Sequence, residues 1–410
     1  MTGALRCAAV LPSVDGSAAY WPDAYVAWRD GVFVEVRVAG SDDGPHSGQL
    51  VTPGFCDLHI HWPQAHVRGR FSGALLPWLR DHIWPAEAAF ADAKTAEAHA
   101  DAFIEVITRA GTLSALTFGP PFLAASLAFL ARAPRGFFDG PALMERNCPD
   151  DVSQAATTVL DAMAAGGPLR DRLVVSPRFA PNMTRAGMDA AGRFAREHGL
   201  PAQSHLSENV DEIAWVAALY PEARDYTDVY DQHGLLGGHV VLAHGVHLSD
   251  AELARLAATQ TIIAHCPTSN EALGSGRMAI ERLRDAGVRW VLATDVGAGP
   301  EVSLLHVIDR FLAVHAAAGV DVDGGEALCR ATAIPGAFLA QFDPGLIGLG
   351  ALTVGAPAHL VIFDLPSHLG EDPAADDVVR ALCARHRGHY ELAPRAVVRW
   401  GENVAFANDD

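Results

Sequence analysis

The sequence predicts an α/β protein: a (β/α)8 TIM-like barrel with a small β-sandwich domain built from both chain ends. Three observations predict it. Eight apolar, β-like runs alternate with helical patterns across about 290 residues, the pattern of a strand–helix repeat that closes into a barrel. Several of these runs are rich in Val, Ile and Leu with little polar alternation, as strands covered on both faces require. The two chain ends instead carry short β-prone pieces broken by Gly, Ser and Asp turns, and neither end can bury an apolar face alone. The expected division is residues 1–52 for the first part of the sandwich, 53–343 for the barrel, and 344–410 for the second part with a C-terminal tail.

Taken in order, the first flank offers Tyr25–Trp28 and Val32–Val38 as strands. The barrel strands are expected at Phe55–His61, Thr112–Phe118, Gly136–Met144, Arg172–Phe179, Pro201–His205, His239–His244, Thr261–His265 and Val288–Thr294. Helices fill the gaps. Ser249-Asp250-Ala251-Glu252 is a capping box, and Val302, Leu305, Ile308 and Leu312 recur at helical spacing. The last flank supplies Leu360–Phe363 and Ala396–Trp400, short and β-prone, as partners for the first.

Bulk properties narrow the function. A net charge of −19 over 410 residues argues against nucleic acid and against anionic membrane surfaces, both of which reward Lys and Arg. The six cysteines show no paired spacing, so neither a disulfide framework nor a Cys-based zinc site is expected, and a cytoplasmic location follows. No basic region followed by a long apolar run opens the chain, so no signal peptide is expected. The most apolar stretch, Pro121 to Ala131, is too short to span a bilayer.

The chemistry sits at the ends of the expected strands, where a barrel keeps its catalytic groups. His59 and His61 are two apart in an extended strand, so both side chains face the same way. His205 and His244 end the fifth and sixth strands, and Asp295 ends the eighth. Any one of these histidines alone reads as a hydrogen-bonded core residue; the ordered set reads as a metal site. Three or four imidazoles with one carboxylate suit one divalent ion, Zn²⁺ or Fe²⁺. Glu208, three residues beyond His205, is placed to move protons, and His265, ending strand seven, to orient or polarise the water at the metal. The single lysine, Lys94, lies outside the fourth strand, so two metals bridged by a carboxylated lysine are not expected and a mononuclear site is.

These segments resemble the amidohydrolase superfamily and, within it, the guanine deaminases. The resemblance is carried by Pro53 through Gln64, Leu75-Leu76-Pro77-Trp78-Leu79, Trp84-Pro85-Ala86-Glu87, Glu145 through Asp150, Pro177-Arg178-Phe179, Gln203 through Asn209, Val229-Tyr230-Asp231, His265 through Asn270 and Gly274-Ser275-Gly276. It is close from residue 53 to about 300 and looser in both flanks. It implies metal-dependent deamination of guanine to xanthine and ammonia, a place in purine catabolism, and a homodimer. The carbonyl and ring nitrogen of guanine suit an arginine fork, which Arg178 would provide. Gln64 would meet the amidine edge, and Phe179 and Trp78 would form apolar walls. Asp295 would accept a proton from the attacking water and Glu208 would protonate the ring. Related aminated rings (8-oxoguanine, a pterin, an azapurine) share that edge and stay open as substrates; a C–N ring amidohydrolase or a non-catalytic scaffold fits less well. The chain departs from the family pattern at Asn270-Glu271-Ala272-Leu273, at Val296 through Pro300, at Gly111 through Ser114, and at His359, where an aspartate is usual.

Overall fold

The computed structural model describes residues 2–71, 73 and 75–404; the expected C-terminal tail lies largely outside them. In chain order the strands are β1 (Thr2–Pro12), β2 (Ala18–Arg29), β3 (Val32–Val38), β4 (Gln49–Pro53), β5 (Phe55–His61), β6 (Thr112–Gly119), β7 (Phe137–Leu143) and β8 (Ser176–Pro177). They continue with β9 (Ala202–Leu206), β10 (Val240–His244), β11 (Ile262–His265), β12 (Arg289–Leu292), β13 (Leu360–Asp364), β14 (Ala396–Arg399) and β15 (Glu402–Asn403). The chain forms two compact units. One comprises Met1–Asp57, Ile104–Ala115 and Val302–Asp410, the other Leu58–Phe103 and Leu116–Glu301.

In the first unit both chain ends pair into one seven-stranded sheet, ordered β15-β14-β13-β4-β1-β2-β3. Most neighbours run antiparallel, but β1 and β4 are parallel. The expected pairing of the flanks is therefore direct: Val361 of β13 faces Thr52 of β4. Val26, Trp28 and Phe33 from one side of the sheet and Leu360 and Val398 from the other meet in a single core. A sheet whose distant strands share one core must fold over on itself, as a sandwich does.

The parallel strands β5 to β12 lie largely in the second unit, with the first residues of β5 and β6 in the first. β5-β6-β7-β8 and β9-β10-β11-β12 are two four-stranded runs, joined by a parallel bridge between Val175 and Ala202. Beyond β12, the Asp295 N–H donates to the His59 carbonyl at 2.9 Å and the His61 N–H to the Val296 carbonyl at 2.7 Å. The eight strands thus connect in sequence order and the last returns to the first. Buried β10 reads Val-Val-Leu-Ala-His with no polar alternation, as a strand covered on both faces does. The strand expected over Arg172–Phe179 shrinks to Ser176–Pro177: a 3-10 turn occupies Gly167–Arg172, and Pro177 has no N–H to extend the ladder. Among the described residues, no helix is long and apolar enough to cross a membrane.

Candidate metal and catalytic site

Strand alternation places His59 and His61 on one face of β5, and both are buried. His205 and His244 come from the adjacent parallel strands β9 and β10, in register one residue apart. Asp295 follows β12. His244 and Asp295 both adopt left-handed backbone conformations, with φ of 73° and 51°. Such conformations are uncommon for residues other than glycine and cluster at functional sites; here both residues belong to the candidate ligand set.

The donor atoms converge. One ligand atom each from His59, His205, His244 and Asp295 lies within 4.8 Å of all the others. His59 Nε2 is 3.2 Å and His61 Nε2 3.4 Å from Asp295 Oδ1, and His244 Nε2 is 3.8 Å from Asp295 Oδ2. His61 Nε2 and His205 Nε2 are 3.2 Å apart. Two ligands each about 2.05 Å from a tetrahedral zinc stand about 3.3 Å apart, so these separations fit a shared ion better than direct hydrogen bonds between imidazoles. Burial first, then neighbouring positive charge, holds His59, His61 and His205 well below the usual imidazole pKa. They are therefore neutral, as metal ligands must be. Burial also raises Asp295, an effect that a cation's charge opposes.

Outer partners aim the rings. His205 Nδ1 donates to the Arg178 carbonyl at 2.5 Å, leaving Nε2 for the centre, and His244 Nδ1 meets Asn270 Oδ1 at 3.1 Å. Such contacts fix tautomer and ring orientation. Phe118 stacks on His61 with centroids 4.7 Å apart.

Glu208 lies 3.5 Å from His244 Nε2 through Oε2 and accepts the Ser275 hydroxyl on Oε1 at 3.0 Å. Burial, then the charge of Asp295, pushes its pKa up to about 8, so near neutral pH it holds a proton to give. Glu212 stands behind it. Its carboxylate accepts the backbone N–H groups of Glu208 and Asn209 and the Tyr226 hydroxyl, and burial followed by the Glu208 charge raises it to about 7.

A narrow pocket opens over these groups. His61, His205, His244, Asp295, Glu208 and Glu212 line one side; Leu75, Trp78, Leu79, Phe179, Leu273 and Ala298 form apolar walls; Gln64 and Arg178 complete it. The structure thus brings ten of the eleven expected site residues together, nine of them lining the cavity and His59 lying among the converging ligands. His265 is buried at the end of β11 but is neither in the converging set nor in the cavity lining.

Sequence reasoning assigned no role to two residues. Glu212 is the Glu of an Asn209-x-x-Glu212 capping box, a pattern visible in the sequence that says nothing of the cavity it borders. Glu87, in the short helix Trp84–Ala88, is fully buried; its Oε2 accepts Arg178 Nη1 at 2.6 Å and its Oε1 accepts Gln64 Nε2 at 2.8 Å. It stands in the segment Trp84 through Glu87, where nothing but the family resemblance marks it.

Comparison with known proteins identifies the family. Residues 50–389 match the model of the amidohydrolase family. A guanine deaminase of Escherichia coli (strain K12) is 36% identical over 296 residues, 70% of this chain and 67% of that protein; one from Deinococcus radiodurans, described as probable, is 39% identical over 67% of this chain and 65% of its own length. The structure of the E. coli enzyme superposes with a TM-score of 0.88 at 28% identity, covering 99% of this chain and 100% of that one.

Proposed function

The chain belongs to the amidohydrolase family, and we propose that it deaminates guanine hydrolytically, giving xanthine and ammonia. One observation carries the proposal: a single cavity holds the converging imidazoles and carboxylate, a buried glutamic acid with a raised pKa, and an arginine and glutamine beside apolar walls. Relatives named guanine deaminase and probable guanine deaminase are 36% and 39% identical to this chain over about two thirds of their length, which supports the same substrate here.

His59, His61, His205, His244 and Asp295 would hold one divalent ion. When bound, such an ion supplies Lewis acidity that makes water nucleophilic near neutral pH. We infer Zn²⁺ from the imidazole-rich set, with Fe²⁺ accepting similar ligands. The remaining steps belong to the protein. Arg178 and Gln64 hold the carbonyl and amidine edge by hydrogen bonds, and Phe179 and Trp78 confine the ring. Asp295 accepts a proton from the attacking water. Glu208, protonated at the outset, gives its proton to a ring nitrogen as oxygen adds to the amine-bearing carbon. The proton held by Asp295 then passes to the departing amine, directly or through Glu208; as ammonia leaves, the new hydroxyl gives its proton to Glu208 and becomes the carbonyl of xanthine, which returns both carboxyls to their starting states. His265, one residue from the N-cap of the site's helix Pro267–Ala272, would act on the water only from behind the ligands. The resemblance supports a homodimer, and six free cysteines support a reducing, cytoplasmic setting.

The test is ammonia release from guanine, 8-oxoguanine, a pterin and adenine by purified protein, with metal analysis of the same sample. Guanine turned over fastest, with about one ion per chain, is the expected result. A faster reaction with another ring of the panel would replace guanine as substrate. Release from none of them by metal-loaded protein would end the deaminase reading.

A further inference from the structure

We infer that Glu87 is a positioning residue that sets which hydrogen-bonding groups Gln64 and Arg178 present to the substrate; the inference rests on the guanine reading above. Glu87 does not line the cavity. It sits behind the two residues that do, wholly buried, with one carboxylate oxygen on each.

The chemistry of a carboxylate makes this arrangement specific. An ionised carboxylate only accepts hydrogen bonds. The Gln64 amide must therefore turn its NH₂ toward Glu87, which sends its carbonyl the other way. There Gln64 Oε1 accepts the Gly297 N–H at 3.3 Å. Both ends of the amide are thus pinned, with one N–H and one oxygen lone pair left for a ligand. A glutamine without such a neighbour turns its two ends over at little cost, since oxygen and nitrogen are nearly the same size.

Arg178 gains equally. Its guanidinium is about 3% exposed, and an unpaired charge so buried is costly. Glu87 compensates that charge from the far side and engages Nη1, leaving other N–H groups of the fork to face the cavity. One acidic side chain on a helix of five residues therefore orients, at once, the donor fork from the end of β8 and the amide that follows β5. If either reader turned, a buried polar edge of the substrate would be left unmatched, which is how a hydrogen-bonding site discriminates strongly.

The Glu87→Gln variant tests this. It keeps the volume but places an NH₂ where an acceptor is needed, so either Arg178 or Gln64 loses its partner. The expected result is a KM for guanine raised at least ~10-fold with kcat within ~3-fold of wild type and the metal content unchanged. A residue that only supported the fold would lower the amount of active protein and leave KM alone. Glu87→Asp, which keeps the charge but is too short to reach both partners, is measured alongside and decides the question if Glu87→Gln does not fold; KM is expected to rise there as well. A folded, metal-loaded variant with KM within twofold of wild type overturns the inference, as does a loss confined to kcat. If wild-type protein releases no ammonia from guanine but binds it, the substrate reading fails alone, and the same ~10-fold weakening is then read on guanine affinity by equilibrium dialysis. Wild-type protein that neither binds nor deaminates guanine overturns both.

Discussion

Replacing His359 by leucine should make the protein more resistant to acid, by an amount that follows from where this imidazole sits. His359 is buried beside Trp400, 5.0 Å between ring centroids, and neither ring nitrogen has a hydrogen-bond partner among the described residues. Burial, reinforced by the nearby Arg399, pushes its pKa from 6.5 down to about 3. The folded protein therefore refuses a proton that the unfolded chain takes up below about pH 6.5. The stability contribution of the neutral ring is intact above that pH and is lost as pH falls through the window from about 6.5 to about 3. Between pH 8 and pH 5 the loss amounts to roughly 2 kcal/mol, at about 1.4 kcal/mol per decade of proton binding. Leucine does not titrate. At pH 8 the variant should lie near wild type, because removing two unpartnered polar atoms (about 1–3 kcal/mol) is offset by the lost ring contact with Trp400 and any imperfect packing. At pH 5 the gap should widen by about 2 kcal/mol in favour of His359→Leu. Urea unfolding of both proteins at the two pH values, followed by tryptophan fluorescence, measures that gap. Equal pH dependence in the two proteins would refute the reasoning.

Other perturbations have equally definite outcomes. Glu208→Gln should retain metal and fold while ammonia release from guanine drops ~10²-fold or more; near-normal turnover removes Glu208 from proton transfer. His205→Ala should lose the ion and all measurable activity, and a stoichiometric metal content in that variant would contradict its place in the ligand set. Dialysis against a chelator should abolish activity and lower the melting temperature, with both restored by Zn²⁺, because an ion that binds only the folded state stabilises it; an active, metal-free sample would refute the site. Asp139, buried among Trp62, Thr117 and Ser126, has its carboxyl pKa raised to about 7 chiefly by burial. Since the folded state prefers the neutral acid, its contribution is full below about pH 4 and fades as pH rises toward 7. Asp139→Asn should flatten that limb of the stability profile, and an unchanged alkaline slope would count against it.

The parts of the site that lie on strands were legible because a strand alternates strictly. His-x-His on an apolar run can only point both rings one way, and His205 and His244 stand at the ends of two apolar runs that become adjacent parallel strands. The fourth barrel strand is shorter than its composition suggests: Leu173, Val174 and Val175 continue the apolar run, but the ladder there is reduced to isolated bridges around Ser176–Pro177. Glu87 and Glu212 were beyond reach for a different reason. A glutamate in a first helical turn reads as a solvated, dipole-favoured residue, and only the tertiary arrangement reveals that Arg178 and Gln64, or Tyr226, converge on it. His265 shows the converse: a strand-end histidine is indistinguishable by position from its neighbours on β9 and β10, yet it falls outside the group of four.

The sheet shared by the two chain ends imposes an order on synthesis. Strand β4 finds β1 almost at once, but its other neighbour, β13, is encoded roughly 300 residues later. At about 5–20 residues per second, a nascent chain would carry an open hydrogen-bonding edge at Leu50 and Val51 for roughly 15–60 s. An exposed edge of that kind invites pairing with other chains. Heterologous production should therefore gain more from slowed growth or a holdase than from any change near the catalytic cavity.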